Sequence, residues 1–419
     1  MIRSTVLNLV GLALPLVFAF LCIPILIEEI GSEGFGLLAL MWALVSYFGL
    51  LDMGLGRALT LRLAVSESRG DRSSSGAIIF TALCVMLAIG LLGAGVLAAF
   101  SRPIVAHLDG VPDPAQAAAA VVAMAAAVPF IIVTSGLRGV LEARHQFGIV
   151  NAIRIPTGAF TFAGPILSLW LFGPRLDLIG WTLAFGRAIA LLPHAYFALR
   201  RPGGHFRFDR AELRRLFSLG GWFSASSIIG PLMNYADRFV IGATVSAAAV
   251  AFYATPHEMV TKLWIVPGAL TAVLFPSFAS RIDSGRAERR AIFLRSILAL
   301  AVLLFPLCAV LAIFAEPLLA LWIDPGFAVE SAPVLSILAI GIFINCLAHV
   351  PHTLLQSSGR ARATAVLQLA ELPFYLLGLW FATTSFGIIG AASVWTLRIA
   401  VDTALIFALS LPLVRDRPK

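Results

Sequence analysis

Ionisable side chains recur inside stretches that are otherwise apolar, and these are the groups with which the chain could do chemistry. They are Arg187, Asp237, Arg238, Glu258, Lys262, Glu371, Arg398 and Asp402. A charge at the centre of a lipid-embedded helix costs about 2.5–3.5 kcal/mol on insertion scales, so such groups usually face a protein or water-lined interior. Their positions therefore predict either a polar cavity or a set of buried ion pairs.

The spacing of these groups is compatible with both interpretations. Glu258 and Lys262 stand four residues apart, in the order that the helix dipole favours, and Arg398 and Asp402 have the same spacing in the less favourable order. In the structural interpretation the opposite charges neutralise one another and lock helices together. In the functional interpretation the cations bind an anionic substrate and the carboxylates exchange protons or sodium. The functional interpretation assigns substrate binding to Arg187, Arg238, Lys262 and Arg398, and ion coupling to Asp237, Glu258, Glu371 and Asp402.

Enzyme signatures are scarce in this sequence. It contains no GxxxxGK[ST] loop for phosphates, and the GxG at Gly54 stands alone. His349 and His352 are three residues apart with Pro351 between them and no nearby carboxylate, which favours ordinary packing over metal binding. The sequence therefore predicts no catalytic residue, no metal site and no cofactor.

Composition places these charges in a membrane. Hydrophobic residues make up 60% of the chain, charged residues only 12%, and the mean hydropathy is +0.95, whereas soluble domains carry about 25% charged residues. A span needs about 20 mainly apolar residues. The sequence predicts an all-α polytopic membrane protein with twelve spans, at 4–27, 35–56, 77–100, 116–137, 149–172, 179–199, 217–242, 248–275, 292–314, 331–355, 363–384 and 387–411.

The arginines of the loops predict the orientation of the spans. Alternate loops and the termini hold 24 basic residues on one side, and the opposite loops hold two, Arg102 and Arg175. Because positive residues remain in the cytoplasm, both termini are expected there. Topology also explains the net charge of +8, so nucleic acid is not an expected partner.

The chain reads as two similar halves. The central connection, about 200–216, carries six arginines able to hold anionic lipid headgroups, and Asp209 with Glu212 has the spacing of a capping box for the next helix. Weak internal matches occur at shifts of 215 and 210 residues. We therefore predict two six-helix lobes, 1–205 and 206–419, around a central cavity, as parallel repeats commonly form.

Two segments carry a family resemblance. The stretch from Asn8 to Ala64 contains GSEGFGLLALMWALVSYFGLLDMGLGRALTLRLA, and the second half contains NYADRFVIG followed by AFYATPHEMVTKLWIVPGALTAVLFPSFAS. These segments resemble the Wzx-like oligosaccharide flippases, the polysaccharide-transport branch of the MOP superfamily. Asp237 and Arg238 match the Asp-Arg pair of that family's seventh helix, and Asp52 matches the Asp of its LLDxGLG motif.

The resemblance implies a function and its partners. The expected substrate is an undecaprenyl-diphosphate-linked oligosaccharide, moved across the bacterial inner membrane for polysaccharide or O-antigen biosynthesis. The expected partners are H+ or Na+ as coupling ion, membrane lipids and other polysaccharide-assembly proteins. Two alternatives remain open at this point. A multidrug or cation antiporter would favour acids over cations in its cavity, and a membrane-embedded glycan polymerase or ligase would need longer outward loops.

Overall fold

A computed structural model describes residues 2–48, 54–68, 74–200, 203–279 and 286–414. The elements of these ranges are α-helices joined by short connections and 3-10 turns, with no strand among them. The helices are α1 (Ile2–Phe48), α2 (Leu55–Ser68), α3 (Ser75–Ala99), α4 (Ser101–Ala106), α5 (Pro114–Ala143), α6 (Phe147–Phe172), α7 (Leu176–Leu199), α8 (Arg210–Thr244), α9 (Ala247–Thr261), α10 (Ile265–Ala279), α11 (Arg286–Ile313), α12 (Ala315–Trp322), α13 (Pro325–Ser357) and α14 (Ala361–Val414).

These helices confirm the predicted all-α membrane fold. Eight of the described segments are long and apolar enough to cross a membrane. Two pairs of predicted spans run on as single helices, α1 and α14, which bend at Gly31 (φ 70°) and Gly387 (φ 60°). Glycine adopts such positive φ values at little cost, so each bend can separate two spans without a loop. The helix pattern is consistent with the expected twelve spans.

Two local expectations differ from the structure. Arg57 and Arg62, assigned to a loop from the sequence, lie on helix α2. The capping box at α8 is only half formed. Asp209 Oδ1 accepts hydrogen bonds from the backbone N–H groups of Ala211 (2.7 Å) and Glu212 (3.4 Å), but the Glu212 side chain turns to Arg62 and Arg215 instead of the backbone of Asp209.

The chain divides into two compact units, Met1–Tyr235 and Ala236–Lys419. The element order repeats in the second unit. Helices α3, α4 and α5 of the first unit correspond in order to α11, α12 and α13 of the second. α3 begins at Ser75 and α11 at Arg286, while α5 begins at Pro114 and α13 at Pro325. Both long helices start in the same way, with an Asp N-cap followed by proline at the first helical position. The lobe boundary at 205/206 remains a prediction.

The first unit is held together by an apolar core and a strap. Buried aliphatic side chains of α2, α3 and α5, among them Leu59, Ile79 and Val140, form one continuous cluster. The segment 203–209 is the strap, and it runs across α3. The Gly203 carbonyl accepts a hydrogen bond from the Gly76 N–H at 2.9 Å, and Thr81 Oγ1 accepts one from the Asp209 N–H at 2.9 Å. The strap thereby fixes where α8 begins.

The second unit is built around α13. Its buried side chains, such as Leu338 and Ile342, pack against α9 to α12 and α14. Polar contacts fix the register of its neighbours. Trp264 Nε1 donates to Asn345 Oδ1 at 2.8 Å, and Thr396 Oγ1 donates to the Ile337 carbonyl at 3.1 Å. Helices α9 and α14 are thus held against α13.

The Arg62–Glu212 contact predicts an acid-sensitive component of stability. Arg62 Nε and Nη2 donate to the Glu212 carboxylate at 2.9 and 2.8 Å. The Arg62 hydrogen bond, helped by Arg215, holds the pKa of Glu212 below its ordinary value despite partial burial. A lowered folded-state pKa stabilises the fold above the unfolded pKa of about 4.3, and this contribution is lost as the pH falls through the folded-state pKa.

We therefore expect Glu212→Gln to lower the thermal midpoint at neutral pH and to lose this deficit in acid. The measurement is thermal unfolding of the purified variant and of the wild type between about pH 7 and pH 3. Glu142→Gln is the control, because Glu142 pairs with Arg138 at a more exposed site. A deficit of Glu212→Gln that stays constant down to the lowest pH would contradict the assignment.

Candidate functional site

The end of α8 and helix α9, both within the second unit, carry three of the eight predicted charges. Asp237 and Arg238 lie near the end of α8, and Glu258 lies on α9. The connection between these helices is short because Ser246 caps α9, its Oγ accepting the Ala249 N–H at 3.0 Å. This tight turn brings residues about 20 positions apart in sequence into contact.

Glu258 is clamped by two cations. Arg238 Nη2 donates to Glu258 Oε1 at 2.8 Å, and Lys262 Nζ donates to Glu258 Oε2 at 2.6 Å. The Arg238 side chain is 2% exposed, whereas those of Glu258 and Lys262 are 26% and 35% exposed. The three groups therefore form a chain of charges that leads from the buried interior to an accessible ammonium group.

Asp237 uses a different set of partners from its neighbour Arg238. Its Oδ1 accepts the Arg238 backbone N–H at 2.8 Å, and its Oδ2 accepts the Tyr253 hydroxyl at 2.6 Å. Tyr253 stacks on His257, whose ring in turn meets the edge of Trp395 on α14. All of these side chains are buried. We call Asp237, Arg238, Tyr253, His257, Glu258 and Lys262 the α8–α9 cluster.

The helix geometry changes at the accessible end of the cluster. Thr261 ends α9, and a 3-10 turn, Lys262–Trp264, leads into α10. A short 3-10 segment within a long helix often marks a hinge. Lys262 is the first residue of this turn, so a change in helix geometry there would move the ammonium group relative to Glu258.

The remaining predicted groups of the second unit lie on α14. The expected Arg398–Asp402 spacing does not produce an ion pair in the described residues. Asp402 and Glu371 lie on opposite sides of the bend at Gly387, and each has a buried carboxyl oxygen that accepts no hydrogen bond from the described residues. The Arg398 guanidinium lies over the ring of Tyr375, 5.1 Å from its centroid. We call Glu371, Tyr375, Arg398 and Asp402 the α14 cluster.

The two remaining predicted residues lie elsewhere in the sequence. Arg187, on α7 of the first unit, donates through Nη2 to Thr161 Oγ1 at 3.3 Å. Asp52, which the family resemblance singled out, lies outside the described residues. The substrate and ion-coupling roles assigned to all of these side chains remain predictions.

Sequence reasoning assigned no role to Tyr253, Tyr375 or His257. A signal for Tyr253 and His257 was present, because they are four residues apart in an apolar helix and therefore share a face. A buried tyrosine hydroxyl normally has a hydrogen-bond partner. Its partner, Asp237, could not be identified without the fold.

Residues 2–282 match the family described as polysaccharide biosynthesis protein. The chain belongs to that family. The family resemblance drawn from the two motif segments is thereby confirmed.

Two relatives of this chain carry transport names. The "Putative O-antigen transporter" of Shigella flexneri is 31% identical over 410 residues, which cover 97% of this chain and 96% of the relative. The "Probable low-salt glycan biosynthesis flippase Agl15" of Haloferax volcanii is 24% identical over 395 residues, covering 92% and 78% of the two chains. A solved multidrug resistance MATE family transporter of the MOP superfamily, in an inward-facing conformation, superposes with a TM-score of 0.83 at 12% identity over 97% of this chain and 98% of that one. That likeness shows the fold.

The two cations of the α8–α9 cluster should differ in their effect on stability. Arg238→Met removes the deeply buried member of the Arg238–Glu258 pair and leaves Glu258 with Lys262 as its one partner. Loss of one member of a buried ion pair lowers stability by about 3–5 kcal/mol. Lys262→Met removes a partly exposed cation and should cost about 0–1 kcal/mol. The measurement is unfolding of both purified variants in mixed detergent micelles. Equal losses in the two variants would contradict the burial gradient.

Proposed function

We propose that this protein is a flippase for lipid-linked oligosaccharides and has no enzymatic activity of its own. Its substrate is an undecaprenyl-diphosphate-linked glycan, and it works by alternating access coupled to a proton or sodium gradient. Support comes from the family match, from the transport names of the relatives and from the shared MOP fold. We further propose that it resides in the bacterial inner membrane with both termini in the cytoplasm, where the loop arginines predict them.

The clamp on Glu258 is the observation that carries the proposal. Two cations, Arg238 and Lys262, converge on one carboxylate within an apolar helix pair. A diphosphate presents several charged oxygens and can compete with that carboxylate for the same donors. Guanidinium groups bind phosphate oxygens in bidentate fashion, and ammonium groups bind them as point charges. Lys262 is the more accessible of the two cations, so we assign it the first contact with the diphosphate.

The other predicted residues have roles in the same proposal. Arg398 and Arg187 supply further cations for the substrate, one from each predicted lobe. Asp237, Glu258, Glu371 and Asp402 are the candidates for ion coupling. Membrane lipids and other proteins of polysaccharide assembly are the expected partners, and lobes that rock around a central cavity are the expected movement.

Flipping of a fluorescent lipid-linked oligosaccharide in proteoliposomes tests the assignment of Lys262. In Lys262→Ala the Glu258 carboxylate keeps its partner Arg238, so the variant should fold. Loss of a hydrogen bond to a charged group, worth about 1.5–3 kcal/mol, should slow flipping on the order of tenfold or more. The chain has only two lysines, and Lys419→Ala is therefore the matched control.

The double variant Lys262→Ala with Glu258→Ala separates substrate binding from neutralisation. Because it also removes the anion that pairs with Arg238, we expect it to be less stable than Lys262→Ala, and its folded fraction should still flip poorly. Full recovery of flipping in the double variant would exclude a substrate role, because Lys262 would then serve only to neutralise Glu258. Wild-type protein that does not flip the lipid but exports organic cations would overturn the flippase proposal in favour of an antiporter.

A further inference from the structure

Helix α14 consists of two arms that fold back on one another. The bend at Gly387 separates the first arm, which begins at Ala361, from the second, which ends at Val414. In a straight helix Ala370 and Leu409 would be about 60 Å apart, yet they line one cavity. The bend therefore turns the second arm back along the first.

The two arms are close near the bend and leave a groove further from it. A Cβ atom added at Gly378 of the first arm would lie 3.6 Å from Val394 Cγ1 of the second. Further from the bend, a cavity of about 620 Å³ lies between the arms. Its apolar walls are Ala363, Val366, Leu367 and Ala370 of the first arm and Leu409 of the second. We call this cavity the α14 groove.

The groove is shaped for a linear apolar group. Ala363, Val366, Leu367 and Ala370 have the spacing i, i+3, i+4, i+7, which places them on one face of the first arm. Two of them are alanines, and their small side chains leave room between the arms. Val366 is 54% exposed and Leu409 is 39% exposed. The groove is therefore an apolar channel that is open to the surroundings of the helix.

Two arginines line the end of the groove where α14 begins. Arg360 lies in the turn between α13 and α14, and Arg362 lies in the first turn of α14. The turn is fixed by Gly359, which has φ 75°, and by the hydrogen bond from the Arg360 N–H to the Leu355 carbonyl at 2.9 Å. Both arginine side chains are exposed, and neither has an ion-pair partner among the described residues. No carboxylate lines the described groove, so its positive charge is not neutralised there.

This arrangement matches an amphiphile with a phosphate at one end and a hydrocarbon chain. Guanidinium groups bind phosphate oxygens through charge-assisted hydrogen bonds, and the walls of the groove offer an acyl chain only apolar contacts. The loop arginines predict that this end of α14 lies at the cytoplasmic face. Basic pockets between membrane helices at that face bind anionic headgroups.

We propose that the α14 groove binds one anionic phospholipid of the cytoplasmic leaflet, with its phosphate on Arg360 and Arg362 and an acyl chain between the two arms. Exposed cations each add only modest affinity for a phosphate. The site therefore suits a ligand that is abundant around the protein, as membrane phospholipid is. A lipid bound to both arms stabilises the folded-back form of α14. The site does not depend on the proposed flippase function.

Native mass spectrometry of the full-length protein in detergent, with added phosphatidylglycerol, tests the role of the arginines. The double variant Arg360→Ala with Arg362→Ala should bind this lipid more weakly, on the order of tenfold or more. The control is Arg290→Ala with Arg295→Ala, which removes the same charge from exposed positions of α11 outside the groove. Equal binding by the two double variants overturns the proposal, as does wild-type protein that binds phosphatidylcholine as tightly.

A variant that fills the groove tests the position of the acyl chain. Ala370→Phe keeps both arginines and narrows the groove, so it should weaken binding of long-chain phosphatidylglycerol and leave binding of the dihexanoyl form unchanged. Leu369→Phe is the matched control, because Leu369 is exposed on the same arm and does not line the groove. If Ala370→Phe binds the long-chain lipid as well as Leu369→Phe does, the acyl chain does not occupy the groove and the proposal is overturned.

Thermal unfolding and competition identify the occupant. Phosphatidylglycerol should raise the thermal midpoint of the wild type and of the Arg290→Ala, Arg295→Ala control, but not that of the Arg360→Ala, Arg362→Ala variant. An equal rise in both double variants overturns the proposal. Undecaprenyl phosphate added in equimolar amount should leave phosphatidylglycerol bound to the wild type. Its displacement would assign the groove to a polyprenyl lipid and overturn the assignment to phospholipid.

Discussion

The buried charge of Arg238 is the constraint on which the second unit depends. A guanidinium that is 2% exposed in an apolar helix bundle must have an anion at hydrogen-bonding distance. Glu258 supplies it, and only one alignment of α8 against α9 brings the two together across the turn capped by Ser246. A displacement of either helix by one residue would rotate Arg238 away from Glu258 by about 100°.

The neighbouring groups follow from this pair. Asp237 cannot share the direction of Arg238, and it turns to Tyr253. Glu258, already bound on one oxygen, accepts Lys262 on the other, at the point where α9 gives way to a 3-10 turn. The result is a set of two cations and two carboxylates that balance in charge and that extend from the interior to an accessible lysine. A transporter needs such a set where a charged substrate must be held and then released.

The sequence was sufficient for those features that depend on local spacing. Hydropathy and loop arginines predicted the helical membrane fold, and the i, i+4 order of Glu258 and Lys262 predicted a contact that the structure contains. The same spacing of Arg398 and Asp402 gives no ion pair in the described residues, where the Arg398 guanidinium lies over the ring of Tyr375 instead. The Arg238–Glu258 and Tyr253–Asp237 contacts cross a turn, so their partners depend on tertiary packing. The predicted break between the spans 4–27 and 35–56 coincides with the bend of α1 at Gly31.

The central claim is that Arg238 and Glu258 stabilise the second unit as a coupled pair, and a double-mutant cycle measures this directly. Arg238→Met, Glu258→Gln and the double variant would be unfolded in mixed micelles and compared with the wild type. We predict a coupling energy of about 2 kcal/mol or more, with the double variant more stable than the sum of the single losses implies, because contacting residues in one network couple by up to about 3 kcal/mol. Losses that add to within about 0.5 kcal/mol, as for independent sites, would contradict the account.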